Sequence, residues 1–480
     1  MNIGMIIYFL GWVLKTEGLL MLLPCLIAVI YQEASGLYFL GTGGFCVIAG
    51  WLMSRKKPEN TVFYAREGFV SVALSWIVLS FFGCMPFFLS GEIPRLEDAM
   101  FEIISGFTTT GASILSDVEA LSKCMLMWRS FSHWIGGMGV LVFILAVLPL
   151  AGGQNIHIMR AESPGPSVGK LVPRVKLTAK ILYVIYFCMT VVQILILLAS
   201  GMHWFDAVAM SFGSAGTGGF GILNSSCGSY TMFQQAVIAV FMTLFGINFN
   251  VYYLFLIKRP KEALRCEEMR AYLGIILVSI LLIAWNIRGY FPTLLEALHH
   301  SAFQVSSIIT TTGYSTTDFD LWPSFSKTIL VMLMFIGACA GSTGGGIKVS
   351  RLVVAMRTVK KELLSVIHPR SVKVITFEGK PIEHTILRSI NTFLVAYAVI
   401  FALSVLFVSI DNLDPTTNFT AVAATLNNIG PGLGIVGPVG NFGVYSPFAK
   451  IVLMFDMLAG RLELIPMLVL FSPATWRKNS

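Results

Sequence analysis

One run constrains this chain more than any other: Ser105-Gly106-Phe107-Thr108-Thr109-Thr110-Gly111-Ala112-Ser113, a patch of hydroxyls and glycines set between apolar segments. Three later stretches echo it, namely Ser211 to Phe220, Ser307 to Tyr314 and, more loosely, Ala424 to Pro431. Each follows a short apolar segment that begins at or just beyond an acidic residue: Asp98, Asp206, Glu296 and Asp414. The surroundings make these runs costly. With 56% hydrophobic and only 12% charged residues, the chain reads as a polytopic membrane protein. Hydrocarbon cannot hydrogen-bond a free carbonyl, so non-helical backbone at membrane depth must be buried in protein or line a wet cavity. Close helix packing explains a single Gly/Thr run well. Four in series point instead to one shared axis, where carbonyl and threonine oxygens can replace the water around a cation. Short preceding helices would aim their negative C-terminal ends at the same place.

The spacing predicts an all-α polytopic membrane protein built on a recurring plan: long apolar segment, short apolar segment, Gly/Thr run, long apolar segment. Residues 1–57 carry two apolar segments without such a run and read as a transmembrane hairpin outside the repeat. Four helix–pore-loop–helix units then follow at 58–160, 161–262, 263–365 and 366–480, with the long segments each expected to span. The N-terminus has no basic leader or small-residue cleavage site and is expected to be a retained helix. The net charge of +8 resides in clusters between apolar segments, among them Arg55-Lys56-Lys57, Arg160 with Lys170 and Arg174, Lys258 to Arg270, and Lys348 to Lys380. That is the pattern of positive-inside orientation, not of nucleic-acid binding. The opposite side carries Glu92, Glu97, Asp98, Asp117, Glu119, Asp206, Glu296, Asp318, Asp320, Asp411 and Asp414, which together would form a cation-attracting vestibule.

Two further features sit within apolar sequence. Gly341-Ser342-Thr343-Gly344-Gly345-Gly346 holds four glycines where a long helix is otherwise expected, each costing about 1 kcal/mol relative to alanine in a helix. Arg461 lies in the last apolar segment, where a lone charge costs roughly 3 kcal/mol and should face water or a bundle interior. An electrostatic barrier, an ion pair with Asp456 or Glu463, and a side chain reaching the interface all satisfy that demand.

Several superficial signals are discarded. Gly216 to Gly221 fits Gly-x-Gly-x-x-Gly without a βαβ setting, and Gly341 to Lys348 fails the phosphate-loop spacing at Ile347 and Val349. The eight cysteines form no Cys-x-x-Cys pair. His133 reads as a satisfied interior histidine, and His299-His300 as packing and capping residues. No nucleophile or metalloprotease motif supports an enzyme such as a membrane-embedded hydrolase.

These runs, with Ser132 to Gly139, Ala340 to Lys348, His368-Pro369-Arg370 and Asn427 to Gly432, resemble the Trk/Ktr superfamily of bacterial potassium transporters, and its Trk branch in particular. The resemblance spans nearly the whole chain apart from the opening hairpin. It implies four units around a central path through the bacterial cytoplasmic (inner) membrane. It also implies a homodimer docked to TrkA, a cytoplasmic nucleotide-binding regulatory ring, with membrane lipid as the remaining contact. The chain itself would bind no cofactor, and K+ would be the transported ion. The filter would comprise Thr109, Thr110 and Gly111; Gly218 and Gly219; Thr311, Thr312 and Gly313; and Asn428, Ile429 and Gly430. Gly111, Gly219, Gly313 and Gly430 would be the key glycines of their units; Gly218 could take the part in the second, and Gly219 is preferred because Phe220 follows it as Tyr314 follows Gly313. The resemblance makes Gly341 to Gly346 an obstructing loop beneath the filter and Arg461 a pore arginine. K+ and Rb+ should be admitted over Na+, with flux passive through a gated pore. Proton or sodium symport, using Glu102 or Asp456, is the alternative.

Overall fold

The computed structural model describes residues 1–59, 64–147, 175–368 and 374–477. The expectations placed on Arg160, Lys170, Arg174, Pro369, Arg370 and Lys373, and the boundary at 160/161, lie outside the described residues. Helices carry the fold. The only strand pairing among the described residues is a two-residue antiparallel ladder, Thr376–Phe377 against Lys380–Pro381, a small departure from an all-helical chain.

The opening segment folds as α1 (Ile3–Leu20) and α2 (Leu22–Tyr31), then returns as α3 (Gly36–Ser54). Glycines let α1 and α3 touch backbone to backbone. A Cβ on Gly11 or Gly18 would press on the Gly50 or Gly43 carbonyl, and the reverse contacts hold as well. The partners sit seven residues apart on both helices, so the small faces stay in register over two turns.

Next come α4 (Ala65–Gly83), α5 (Met85–Ser90), α6 (Leu96–Phe107) and α7 (Lys123–Val147). They are followed by α8 (Val175–Ala199), α9 (Trp204–Gly216), α10 (Met232–Phe245), α11 (Phe249–Leu256) and α12 (Pro260–Arg265). Then follow α13 (Glu267–Ile287), α14 (Leu294–Ile309), α15 (Ser324–Ile336) and α16 (Val349–Ile367). The last are α17 (His384–Val408), α18 (Pro415–Leu426), α19 (Pro447–Arg461), α20 (Ile465–Phe471) and α21 (Pro473–Trp476). Among the described residues, six helical segments are long and apolar enough to cross a membrane, or seven if the bent pair α10–α11 counts as one.

The short helices α6, α9, α14 and α18 have 12, 13, 16 and 12 residues, too short to span. Their acidic starts suit the positive end of a helix dipole. Asp98, Asp206 and Glu296 lie in first turns, and Asp414 caps α18 by accepting from the Thr417 N–H at 2.9 Å.

The helices that follow the Gly/Thr runs correct the expectation of four long spans. Only α7 is continuous, at 25 residues. Between α10 and α11 the chain turns by 89° across Gly246-Ile247-Asn248. α15 stops after 13 residues at Gly337 (φ +74°). α19 ends at Arg461, and Glu463 and Leu464 take positive φ before α20. Gly341 to Gly346 therefore lie between two helices, not within one.

Candidate selectivity filter and gate

Each short helix ends in the same way. The residues Thr109, Thr217, Thr311 and Asn428 occupy the left-handed region at φ +56°, +54°, +60° and +57°. Each donates its N–H to the carbonyl three residues back, and the next residue donates to the carbonyl five back. The latter bonds run from Thr110 to Ser105 (2.9 Å), Gly218 to Gly213 (2.8 Å), Thr312 to Ser307 (2.8 Å) and Ile429 to Ala424 (2.8 Å). This is the Schellman ending, normally built on glycine. Threonine is β-branched and poorly suited to positive φ, a strain of about 1–3 kcal/mol that persists only where the surroundings impose it. All four residues are buried.

Two residues after each threonine or asparagine, a glycine again takes positive φ: Gly111 +79°, Gly219 +80°, Gly313 +90° and Gly430 +102°. Gly219, not Gly218, thus shares the backbone conformation of the other three. These glycines also fit their neighbours. A Cβ on Gly111 would strike the Gly218 carbonyl, on Gly219 that of Thr312, and on Gly313 that of Ile429, while on Gly430 it would lie 2.9 Å from that of Thr110. The contacts run first to second, second to third, third to fourth and fourth to first run, closing a ring. Among the described residues, none donates a hydrogen bond to the carbonyls of Thr109, Thr110, Gly218, Thr311, Thr312, Asn428 or Ile429. Those oxygens are available to a cation.

Side chains from α6, from α7 and from the fourth run itself hold this ring. His133 on α7 donates from Nδ1 to the Gly106 carbonyl (2.8 Å), and its Nε2 accepts from the Phe220 N–H (3.1 Å). Those two partners fix one neutral tautomer and tie the first run to the second. Arg129 on α7 pairs with Glu102 at 2.8 Å, donates to the Gly221 carbonyl at 3.1 Å and lies over the Phe220 ring at 4.1 Å. Glu102 also accepts from Ser113 Oγ and from the Ile114 N–H. Asn428 Nδ2 donates to Thr110 Oγ1 at 2.9 Å, linking the fourth run to the first.

Residues 337–348 pack against the backbone groups released by the break between α10 and α11. The Gly246 carbonyl accepts from the Cys339 N–H (3.0 Å), the Phe245 carbonyl from that of Thr343 (3.4 Å), and the Phe249 N–H donates to Gly341 (3.0 Å). Glu268 accepts from the N–H groups of Ala340 (2.7 Å) and Ser350 (3.1 Å). Lys348 Nζ donates to the Gly344 carbonyl. Gly345 lies against Asn427 and Asn428, and its N–H donates to Thr311 Oγ1 at 2.6 Å. Arg461 donates to the carbonyls of Thr343 (2.8 Å) and Gly136 (2.6 Å), joining the loop to α7. Glu463 and Asp456 bond elsewhere: Glu463 with Arg351, and Asp456 with Ser404 Oγ at 2.7 Å.

The other polar groups singled out in the sequence are knitted into structure. His299 meets Gln235 Oε1 at 2.8 Å and His300 meets Thr316 Oγ1 at 2.9 Å. Several of the carboxylates expected in a vestibule hold loops: Asp98 pairs with Lys450, Glu92 accepts from Ser122, and Asp411 from the Ser446 N–H. Among the described residues no group of histidines, cysteines and acids is arranged to hold a metal ion.

Residues 39–287 and 292–478 match the profile of a family described as TrkH, cation transport protein. The Trk system potassium uptake protein TrkH of Salmonella typhimurium is 38% identical over 470 residues, covering 95% of this chain and 96% of its own length. The Trk system potassium uptake protein TrkG of Escherichia coli is 32% identical, with 99% of both chains covered. The crystal structure of the potassium transporter TrkH from Vibrio parahaemolyticus superposes with a TM-score of 0.89 at 33% identity, over 99% of this chain and 100% of that one.

Proposed function

This chain belongs to the TrkH family of cation transport proteins, and on that premise we propose that it is the ion-translocating, multi-pass membrane subunit of a Trk-type potassium uptake system. It is a transporter subunit, not an enzyme. In this reading K+, and Rb+ by its similar size, is selected by backbone carbonyls of Thr109-Thr110-Gly111, Gly218-Gly219, Thr311-Thr312-Gly313 and Asn428-Ile429-Gly430. The observation that carries it is the ring of four like bends whose carbonyls no described residue claims. Glycine at 111, 219, 313 and 430 lets those oxygens turn toward one line. With one such glycine per run, discrimination against Na+ is weaker than in a filter with two.

The four units 58–160, 161–262, 263–365 and 366–480 surround the path, with 1–57 as a flanking hairpin. The basic connections face the cytoplasm, which places the half-helices on the outer side and the loop Gly341 to Gly346 below the filter. The loop obstructs the path, and Arg461 braces it while adding positive charge that opposes a cation. Withdrawal of the loop opens the path. Two copies assemble as a homodimer in the bacterial cytoplasmic membrane, and a TrkA-like nucleotide-binding subunit on the inner side sets the loop's position. Of the two carboxylates a symport would use, Glu102 is paired with Arg129 and Asp456 accepts from Ser404 through one oxygen; passive flux is the reading we adopt, with symport as the alternative. Reconstituted protein tested in vesicles should take up Rb+ and K+ down their gradients faster than Na+. Equal rates for all three ions would refute selection by this ring.

A further inference from the structure

The four residues that begin the ring share one backbone conformation and so project their side chains alike, yet those side chains are treated differently. Thr109 Oγ1 is buried and has no hydrogen-bond partner. Thr217 Oγ1 donates to the Gly216 carbonyl at 2.6 Å. Asn428 spends its amide N–H groups on Thr110 and the Met457 carbonyl, leaving Oδ1 buried without a partner. Thr311 alone is bound from the loop: its Oγ1 accepts the Gly345 N–H at 2.6 Å. The Gly345 backbone is held in that place by neighbours on either side. Gly344 abuts the Thr310 carbonyl, and a Cβ on Gly345 would press on the Asn427 carbonyl and the Asn428 side chain.

Resting on the permeation reading above, we propose that Thr311 is the residue through which the loop and the filter sense each other. With the loop in place, the Gly345 N–H occupies the Thr311 hydroxyl oxygen and takes one side-chain ligand away from the inner ring formed with Thr109 and Asn428. When the loop withdraws, that oxygen turns to the ion. A K+ ion in the inner ring and a docked loop therefore compete for one atom. Such competition is reciprocal: whatever weakens ion binding when the loop is docked must equally make bound K+ favour loop withdrawal. The opening of this protein should then rise with K+ concentration, a regulation by its own substrate built into a single hydrogen bond.

Planar-bilayer recordings of the full-length protein separate gating from permeation. Thr311→Val keeps the β-branched shape but leaves the Gly345 N–H without an acceptor when the loop is docked. Open probability should rise about five-fold, the population shift expected from losing one neutral hydrogen bond, and its dependence on K+ should vanish. Thr311→Ser, which keeps the oxygen, should restore both. Thr109→Val, at the same φ but without a bond to the loop, should lower unitary current while opening still responds to K+. A Thr311→Val protein with wild-type open probability and wild-type K+ dependence would overturn the proposal, as would the same loss of K+ dependence in Thr109→Val. If Thr311→Val does not insert, Thr311→Ala removes the same acceptor with less bulk: it should raise open probability and abolish its dependence on K+, and unchanged values count against the idea. Wild-type protein that carries no K+ current would remove the permeation reading and this proposal with it.

Discussion

The bends after the four short helices and the segments that follow them put similar sequence to opposite uses. At the bends, Thr109, Thr217, Thr311 and Asn428 fall within a few degrees of one another in φ, although their runs read TTG, TGG, TTG and NIG. In the segments that follow, no two agree. α7 continues unbroken, α10 turns by 89° into α11, α15 stops at Gly337, and α19 gives way through Glu463 and Leu464. A site that must present equal oxygens from four sides needs equivalence, and strained threonines are tolerated to obtain it. A gate needs one segment unlike the rest. The break in α10 supplies the donors and acceptors on which the irregular backbone after α15 can rest, so the two departures from helix satisfy each other.

The largest expected effect attacks the equivalence from outside the ring. Arg129→Ala strands the buried Glu102 carboxylate and should cost about 3–5 kcal/mol of stability, read as a lowered melting temperature in detergent. Gly313→Ser and Gly219→Ala come next. Each puts a Cβ against a neighbouring carbonyl at a φ that disfavours it. Together these costs should reduce K+ over Na+ selection by roughly thirty-fold or more in paired flux assays. Below the ring, Arg461→Ala removes the two charged hydrogen bonds that tie the loop at Thr343 to α7 at Gly136 and should raise basal Rb+ flux about ten-fold.

The smallest effect belongs to a helix start. Asp414→Ala should cost about 1 kcal/mol by uncapping α18. Hydrogen bonds from Thr417 hold the Asp414 carboxyl below its ordinary value of 3.8. A depressed folded value stabilises the charged form, so the contribution is complete above that ordinary value and lost as pH falls through the lowered one. Melting curves of wild type and variant should converge in that acid range.

Much of this was legible from residue types. Acid, short apolar segment and Gly/Thr run recur closely enough to locate all four half-helices and their bends, and Gly341 to Gly346 cannot be written into a helix. The remainder depended on contacts that a one-dimensional pattern does not encode. His133 is the satisfied interior histidine that the sequence suggests, but nothing in the pattern shows that its two ring nitrogens reach Gly106 and Phe220 on different runs. Arg129 and Glu102 lie 27 residues apart with no spacing signal between them. The α10–α11 break did leave a trace, since Gly246-Ile247-Asn248 pairs a helix-weakening glycine with the residue that caps α11. Surrounding apolar sequence masked it. Gly218 and Gly219 are separated in the sequence only by the aromatic that follows Gly219, as Tyr314 follows Gly313; in the structure Gly219 shares the positive φ of the other three.

The most direct test is a density map of the protein prepared in Rb+, whose scattering distinguishes it from water. The account predicts a monovalent ion on the line between the carbonyls beside Gly111, Gly219, Gly313 and Gly430. A well-ordered map with that position empty, and Rb+ bound elsewhere, would contradict it.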